Sequence, residues 1–387
     1  MVRYYGYIEG YYGRMLSWNE RAGILDTLRI LRLNTYLYAP KEDPYHRREW
    51  KTPYPAAWLR AFARFAAAGR RAGVAVVPAV APGLSFDYRS AGDHRILIDK
   101  CIALARCGAR TIALLMDDIP AALPRSCRRE FRSLGQAHGV LLARLMEGLS
   151  RRAQGTGLWF CPTIYADQIA QADPDARGYL DDLAQSMPRD IPLLWTGPRI
   201  VSPAITAKTI RTATRLFGRR IIIWDNLYAN DYCPTRLFVG PYAGRSADLG
   251  SAAQGVLLNP TGLPDTDAFL LSLLAGFVKG KSAATTWRTA TAAHAVPAAF
   301  NAVRRFFGLP GDRPSPADRK AGARISYARA LKHLVWEWKA PLQREWYPFL
   351  YMLETDLLLL ARKRTPGDRA WIRKKYAPVL ASILIRQ

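Results

Sequence analysis

Short apolar runs alternate with longer amphipathic segments over roughly the first 280 residues of the chain. Eight runs are typical of strands buried on both faces, because apolar and β-branched residues fill them and turn-forming residues follow them. These predicted strands cover residues 2–8, 34–39, 74–80, 111–116, 158–164, 192–195, 221–224 and 255–258. Helical periodicity predicts helices over 17–32, 55–71, 91–107, 125–153, 202–217 and 267–278. Ser17 and Glu20 have the spacing of a capping box at the start of the first helix.

Eight strands alternating with helices fit an α/β fold of the (β/α)8 type, the TIM barrel, in both number and chain length. A doubly wound open sheet would also alternate strands and helices. Polar residues follow most of the strands, and in a barrel these positions share one opening at the carboxyl ends of the strands. The connection over 225–250 is long, which is usual for a functional loop.

The pattern changes after about residue 280, where long helical segments with aromatic stripes replace the alternation. We predict a catalytic barrel domain over 1–282 and a C-terminal α-helical domain over 283–387, with helices near 283–307, 317–338, 346–360 and 369–385. Its aromatic stripe is expected to serve packing rather than ligand binding. The stripe consists of Trp336, Trp338, Trp346, Tyr347 and Tyr351.

Composition excludes several classes of protein. Hydrophobic residues make up 50% of the chain, yet no apolar run is long enough for a membrane span. The N-terminus has no charged and then apolar leader, so we expect a cytoplasmic protein. The five cysteines and five histidines are scattered without metal-ligand spacing. We therefore expect reduced thiols, no bound metal and no cofactor.

The formal net charge is +25, from 56 basic and 31 acidic residues. A field of this size would attract an anionic partner such as nucleic acid, a membrane surface or a charged glycan. A genome that favours arginine codons would give the same excess. Basic residues lie on nearly every predicted helix rather than in one block, which favours a solvated basic surface without a dedicated nucleic-acid site.

The fourth predicted strand ends in two adjacent carboxylates, Asp117 and Asp118. Acids are costly to bury, so this position favours a chemical task at the mouth of a parallel sheet. A helix N-cap next to a surface acid is the alternative. The polar and aromatic residues that follow the strands suit a neutral, polyhydroxylated ligand. A phosphate ligand would require a Gly-rich loop at the start of a helix, and no strand is followed by such a loop. These residues are Gly10, Lys41, Asp117, Asp118, Tyr165, Trp224, Asn226, Asp231 and Asn259.

Seven motifs over roughly residues 3–280 resemble glycoside hydrolase family 84, the β-N-acetylglucosaminidases that include the protein O-GlcNAcases. All seven stand in the family's order, so the match is specific although no single motif is. The motifs are IEGYYGR at 8–14, LNTYLYAPK at 33–41, LLMDDI at 114–119, FCPT at 160–163, LWTGP at 194–198, WDN at 224–226 with NDY at 230–232, and LNP at 258–260.

This resemblance implies a retaining exo-β-N-acetylglucosaminidase in which the substrate's own 2-acetamido oxygen attacks the anomeric carbon and forms an oxazoline. By the same resemblance, Asp117 orients and polarises the acetamide N–H. Asp118 protonates the leaving oxygen and then activates water.

The resemblance also assigns the remaining positions, all of them substrate-binding. The Gly10 carbonyl and the side chains of Lys41, Asp231 and Asn259 would hold sugar hydroxyls. Tyr165 and Asn226 would position the acetamide and the reacting centre, and Trp224 would wall the acetyl pocket.

The chain departs from the family at Met15-Leu16, where relatives often have Pro-Trp. The sequence does not identify the aglycone, so a muropeptide, a chitin fragment or an amino-sugar metabolite stands beside a glycosylated protein as the substrate. A catalytically silent protein that binds glycans or polyanions is a further alternative. The presence of both acids with Tyr165 and Asn226 argues against silence, because a lectin has no need of Asp118.

Overall fold

The computed structural model describes residues 3–172, 176–309, 324–361 and 366–376. The chain divides into two compact units, the first formed by residues 1–226 and 244–262 and the second by residues 227–243 and 263–387. None of the helices in the described ranges is both long and apolar enough to cross a membrane.

The first unit contains a closed barrel of eight parallel strands, each paired with the next along the chain and β8 paired with β1. The (β/α)8 fold expected from the alternating pattern is therefore confirmed. The strands are β1 Tyr4–Glu9, β2 Thr35–Tyr38, β3 Ala75–Val80, β4 Thr111–Leu115, β5 Gly157–Cys161, β6 Leu193–Trp195, β7 Ile221–Asp225 and β8 Gly255–Leu258.

The barrel interior is filled by apolar side chains from strands all round the barrel, so it is a packed core rather than a pore. Ile8, Leu37, Val77, Leu115 and Trp159 belong to this core and are almost completely buried. Because the interior is closed, polar chemistry in this unit is confined to the two ends of the barrel.

The helices of the first unit agree with the periodicity in most positions. The capping box at the first helix is confirmed, with the Ser17 hydroxyl accepting from the Glu20 N–H at 3.2 Å and the Glu20 carboxylate accepting from the Ser17 N–H at 2.7 Å. The helices are Trp18–Leu31, Ala56–Arg71, Ala91–Arg106, Leu134–Arg152, Asp167–Ala172, Ala176–Ser186, Ala207–Phe217 and Leu249–Ala252.

Two helix predictions in this unit need correction, and two further helices were missed. The helix expected over 125–153 is a single 3-10 turn at Arg125–Cys127, followed by the helix Leu134–Arg152. The helix expected from Ser202 begins at Ala207, because Ser202 is held by the backbone of the preceding turn and Thr206 supplies the cap. The two helices between β5 and β6 were not predicted.

The second unit is irregular over residues 227–243 and mainly helical in the described residues from 264 onwards. The expected single helix over 283–307 is interrupted after Ala293, before Pro297. Residues 317–323 and 377–385 of the predicted C-terminal helices lie outside the described residues. The helical segments are Pro264–Val278, Ala283–Ala293, Phe300–Val303, Arg304–Phe307, Arg324–Lys332, His333–Glu337, Pro341–Ala361 and Pro366–Tyr376.

The aromatic stripe of the second unit divides into two parts. Trp338 and Trp346 are buried, and the Trp346 indole N–H donates to the Thr266 hydroxyl at 2.9 Å. Trp336 and Tyr351 are 52% and 46% exposed. These two rings pack against each other at the surface, edge to face.

Candidate active site

Eight of the nine predicted site residues lie in the first unit, at or just beyond the carboxyl ends of its strands. They are Gly10, Lys41, Asp117, Asp118, Tyr165, Trp224, Asn226 and Asn259. Asp231 belongs to the second unit, where its carboxylate accepts from the Tyr232 N–H at 2.9 Å. The role of Asp231 in the site stays a prediction.

Asp117 forms an ion pair with Lys41 through Oδ2. The Lys41 side chain is only 2% exposed, and burial, the largest single influence, lowers its pKa; the combined attraction of Asp117, Tyr12 and Asp118 more than offsets burial, so the net pKa is raised. Lys41 therefore stays charged. Asp117 Oδ1 is buried and has no hydrogen-bond partner among the described residues. A buried acceptor without a donor is costly, so this oxygen is a ready acceptor for a ligand N–H or O–H.

Asp118 is exposed and accepts two phenolic hydrogen bonds. The Tyr165 hydroxyl donates to Oδ1 at 2.9 Å, and the Tyr12 hydroxyl donates to Oδ2 at 2.6 Å. Burial, followed by the charge of Asp118, raises the pKa of Tyr165 well above its ordinary value. The pKa of Tyr12 is raised as well, chiefly by burial. Both phenols therefore remain donors at neutral pH.

The backbone of Asp118 lies in the left-handed region, with a φ of 55°. Such a conformation costs a residue other than glycine about 1–3 kcal/mol and is concentrated at functional sites. It turns the Asp118 side chain away from the direction that an extended strand would give it. As a result, the two consecutive acids have different partners: Lys41 for Asp117, and two tyrosines for Asp118.

Sequence reasoning missed Tyr12 and Arg47. Arg47 donates through Nη1 to the Tyr12 hydroxyl, and its guanidinium carbon lies 5.4 Å from the centroid of the Tyr12 ring. Tyr12 lies in the segment between β1 and the first helix, and its hydroxyl contacts Asp118 across 106 residues of chain. Its place in the motif at 8–14 was the one available signal.

An amide network fixes the opposite side of the site. Asn226 Oδ1 accepts from Trp224 Nε1 at 2.9 Å and from Asn259 Nδ2 at 2.9 Å. Asn259 Oδ1 accepts from the Gly10 N–H at 3.2 Å. These bonds determine which way both amides face, and they tie the loops after β1, β7 and β8 together.

Trp224 lies flush against the backbone of Gly10. A Cβ at position 10 would lie 2.5 Å from the Trp224 ring and 2.8 Å from Ile8, which is too close for any larger residue. The Lys41 ammonium lies 6.0 Å from the centroid of the Trp224 ring. The indole and the Lys41–Asp117 pair therefore enclose a site with one apolar wall and one charged wall.

Two other acids at strand ends are saturated with partners. Glu9, at the end of β1, accepts from the Arg21 guanidinium at 2.8 and 2.9 Å, from the Leu16 N–H and from the Tyr36 hydroxyl. Asp225, at the end of β7, accepts two hydrogen bonds from Arg245. The side chains of both ion pairs are at most 3% exposed. These acids stabilise the barrel and are not available to a ligand.

The site contains no metal-ligating cluster within the described part of the chain. Cys161 is close enough for Asp117 to affect it, and burial raises the pKa of its thiol well above the ordinary value. The Cys161 sulfur therefore stays protonated and lines the site as an apolar group.

Comparison with known proteins identifies the family. The profile of the NAGidase family, described as beta-N-acetylglucosaminidase, matches residues 5–308. The chain is 32% identical over 255 residues to the Protein O-GlcNAcase of Mus musculus and, equally, to that of Rattus norvegicus. The match covers 66% of this chain but only 28% of each mammalian protein.

Solved structures give the same result. An O-GlcNAc hydrolase variant from Thermobaculum terrenum superposes with a TM-score of 0.80 at 25% identity, covering 96% of this chain and 88% of the other. The structure of CpGH84B, at 22% identity, has a TM-score of 0.74 and covers 99% and 73% of the two chains, a likeness of fold. The chain belongs to the β-N-acetylglucosaminidase family, glycoside hydrolase family 84.

Proposed function

We propose that this protein is a retaining exo-β-N-acetylglucosaminidase that uses the 2-acetamido group of its substrate as the nucleophile. The observation that carries the proposal is the buried, unpartnered Oδ1 of Asp117, next to an Asp118 that holds two phenolic donors. An acetamide N–H would supply the donor that Asp117 Oδ1 lacks. The family and the named O-GlcNAcase relatives support this chemistry.

In the first step, the acetamide oxygen attacks the anomeric carbon while Asp118, in its acid form, gives its proton to the departing glycosidic oxygen. Asp117 accepts the hydrogen bond of the acetamide N–H, which increases electron density on the attacking oxygen. Lys41 forms an ion pair with Oδ2 of Asp117 and so holds this carboxylate in place from the other side. The product of this step is an oxazoline and a free aglycone.

In the second step, the Asp118 carboxylate removes a proton from water, and the water opens the oxazoline at the anomeric carbon. Two displacements at that carbon return the β configuration. The Tyr12 and Tyr165 hydroxyls stabilise the carboxylate form of Asp118 that this step requires. The proposed reaction thus uses Asp118 both as an acid and as a carboxylate. The Tyr12 and Tyr165 hydroxyls donate to the carboxylate.

The remaining residues would bind the sugar. The Gly10 carbonyl, Lys41, Asn259 and Asp231 hold hydroxyl groups, Asn226 and Tyr165 position the acetamide, and Trp224 walls the acetyl pocket. The natural substrate is a GlcNAc-containing glycoconjugate, and the relatives' name favours GlcNAc on serine or threonine of a protein. A catalytic domain over 1–282 and a cytoplasmic location are part of the same proposal.

The test measures release of 4-nitrophenol from its β-N-acetylglucosaminide by the wild type and by the Asp117→Asn and Asp118→Asn variants. Both variants should lose several orders of magnitude in kcat, because the two acids act as one unit. Glu130→Gln, which removes an exposed acid from the same rim loop, is the matched control and should keep wild-type activity.

A second measurement isolates the nucleophile. Substrates with one, two and three fluorines on the acetyl group carry a progressively weaker acetamide nucleophile, so kcat should fall steeply along the series. A flat series would overturn substrate assistance. No turnover of any of these glycosides by the folded wild type would overturn the glycosidase proposal itself.

A further inference from the structure

Two cations, Lys41 and Arg47, are linked to the acid pair, and they differ in how many of their hydrogen-bond donors have a partner. The Lys41 side chain is almost completely buried and committed to Asp117. Arg47 is half-buried and has no carboxylate within ion-pair distance in the described ranges. Its Nη1 donates to Tyr12, and its other guanidinium nitrogens make no hydrogen bond with the described residues. Arg47 therefore retains donors for a ligand.

The position of Arg47 relative to the chemistry follows from one chain of hydrogen bonds. Arg47 donates to the Tyr12 oxygen, and the Tyr12 hydroxyl donates to Asp118 Oδ2. In the proposed reaction Asp118 meets the glycosidic oxygen, which belongs to the leaving group. The guanidinium is thus two hydrogen bonds from the acid–base group, whereas Lys41 contacts the carboxylate assigned to the sugar's acetamide.

Tyr12 holds Arg47 in place. The Arg47 guanidinium and the Lys41 ammonium lie 5.4 and 5.7 Å from the centroid of the Tyr12 ring, a cation–π geometry for both. A planar guanidinium fixed in this way can bind a carboxylate or phosphate through two parallel hydrogen bonds. The arrangement suits an anionic group better than a hydroxyl.

The rim segment that follows Asp118 is positively charged, like Arg47. Arg125, Arg128 and Arg129 are exposed there, and Glu130 is the one acid between Asp118 and Ser133. Arg132 in the same segment pairs with Asp182 at 3.1 Å. The strand end that bears the acid–base residue therefore continues into a basic segment.

We propose that Arg47, positioned by Tyr12, forms an aglycone subsite for an anionic group, so that the preferred substrate carries a carboxylate or phosphate close to its β-linked GlcNAc. This inference rests on the proposed glycosidase activity and specifies its substrate class. An acidic or phosphorylated peptide and an acidic sugar present the same chemistry to the guanidinium.

The test compares two aryl glycosides, 3-carboxy-4-nitrophenyl β-N-acetylglucosaminide and its 3-carboxamide. Their leaving groups differ in reactivity, so the measured quantity is the ratio of the two kcat/KM values in each protein. Arg47→Gln should reduce the anionic-to-neutral ratio by about tenfold or more relative to wild type, the size expected for a charge-assisted hydrogen bond. Arg47→Lys should keep part of the ratio, because it keeps the charge but loses the planar fork.

Arg48→Gln is the matched control, because it removes the same charge from an exposed neighbour on the same loop. If general surface attraction caused the preference, Arg48→Gln would reduce the ratio as much as Arg47→Gln does, and the subsite would be disproved. An equal loss on both substrates in Arg47→Gln would also disprove it and would leave Arg47 as a support for Tyr12 alone. Failure of the folded wild type to cleave either glycoside would instead count against the glycosidase activity.

To separate the sources of the anion, matched GlcNAc-serine peptides with an adjacent phosphoserine, aspartate or alanine can be compared with a GlcNAc disaccharide of an acidic sugar. The proposal expects wild type to cleave at least one anionic form faster than the alanine peptide, with the difference reduced in Arg47→Gln. Equal rates on all four would contradict it.

Discussion

Asp225 and Asp118 both stand at the carboxyl end of a strand in the same barrel, yet their surroundings are opposite. Asp225 is fully buried, and the Arg245 guanidinium satisfies both of its oxygens. Asp118 is exposed, has a strained backbone and is held by neutral phenols without an ion-pair partner in the described ranges. An acid whose oxygens are both held by a buried guanidinium has a structural role, whereas Asp118 stays accessible to a ligand.

The largest expected effect separates activity from stability at Asp118. Asp118→Asn should lower kcat by about 10²–10⁴-fold, the usual contribution of a general acid–base group. The free energy of unfolding should change by less than about 1 kcal/mol, because the side chain is exposed. Steady-state kinetics and urea denaturation on one preparation check both numbers. A large loss of stability would place Asp118 with the structural acids.

Asp225→Asn should show the reverse behaviour. Removing the charge leaves the Arg245 guanidinium buried without its counter-ion, which costs about 3–5 kcal/mol of the free energy of unfolding. The urea midpoint should fall accordingly. Protein that remains folded should keep a KM near that of wild type, because Asp225 is assigned no contact with substrate. A stable Asp225→Asn protein would contradict the comparison.

Tyr165→Phe tests how much a single hydrogen bond to Asp118 contributes to the reaction. The change removes the donor to Asp118 Oδ1 and little volume. A hydrogen bond to a charged group contributes about 1.5–3 kcal/mol, so kcat/KM should fall roughly ten- to a hundredfold. The same assay on 4-nitrophenyl β-N-acetylglucosaminide provides the measurement. Unchanged kcat/KM would exclude Tyr165 from the reaction.

The smallest expected effect is on the pH dependence of stability, through a buried histidine whose two ring nitrogens both have hydrogen-bond partners. The hydroxyls of Tyr88 and Tyr179 lie 2.8 and 3.0 Å from the two ring nitrogens of His138, and burial lowers the pKa of this histidine to about 3. The unfolded chain, with a histidine pKa near 6.5, takes up the proton first as the pH falls. The stabilisation by neutral His138 is therefore complete above about pH 6.5 and is lost progressively towards pH 3.

The expected slope is at most about 1.4 kcal/mol per pH unit for this group. Urea denaturation between pH 4 and 7 should show a shallower slope for His138→Gln than for wild type, whatever the absolute stability of the variant. Parallel slopes in the two proteins would show that His138 is not buried in its neutral form.

Sequence patterns predicted the barrel well because each strand is a short apolar run with a clear end. The fourth strand ends one residue before its predicted limit, and the eighth matches it at both ends. The helices between β5 and β6 were missed, since no strong start signal marks Asp167–Ala172. The helix start assigned to Ser202 and Pro203 failed because tertiary contacts of the Ser202 hydroxyl competed with capping.

The site divides in a similar way. Asp117, Lys41 and Tyr165 were identified from their places after strands and from motifs, and the structure brings them together around the acid pair. The contribution of Tyr12 was missed, since its partner lies 106 residues away and its place in the motif at 8–14 was the only signal in the sequence. The unused hydrogen-bond donors of Arg47 could not be predicted either, because they depend on which carboxylates lie near it in the folded chain.

The left-handed backbone at Asp118 also limits which substitutions can serve as tools. Asparagine tolerates this conformation better than alanine does, and its amide can still accept from one phenol, so Asp118→Asn keeps the local shape while it removes the transferable proton. Such a protein would bind its glycoconjugate and release it uncleaved. If Asp118 is the acid–base group, as proposed, the same strained residue thereby becomes the means by which the natural substrate can be isolated.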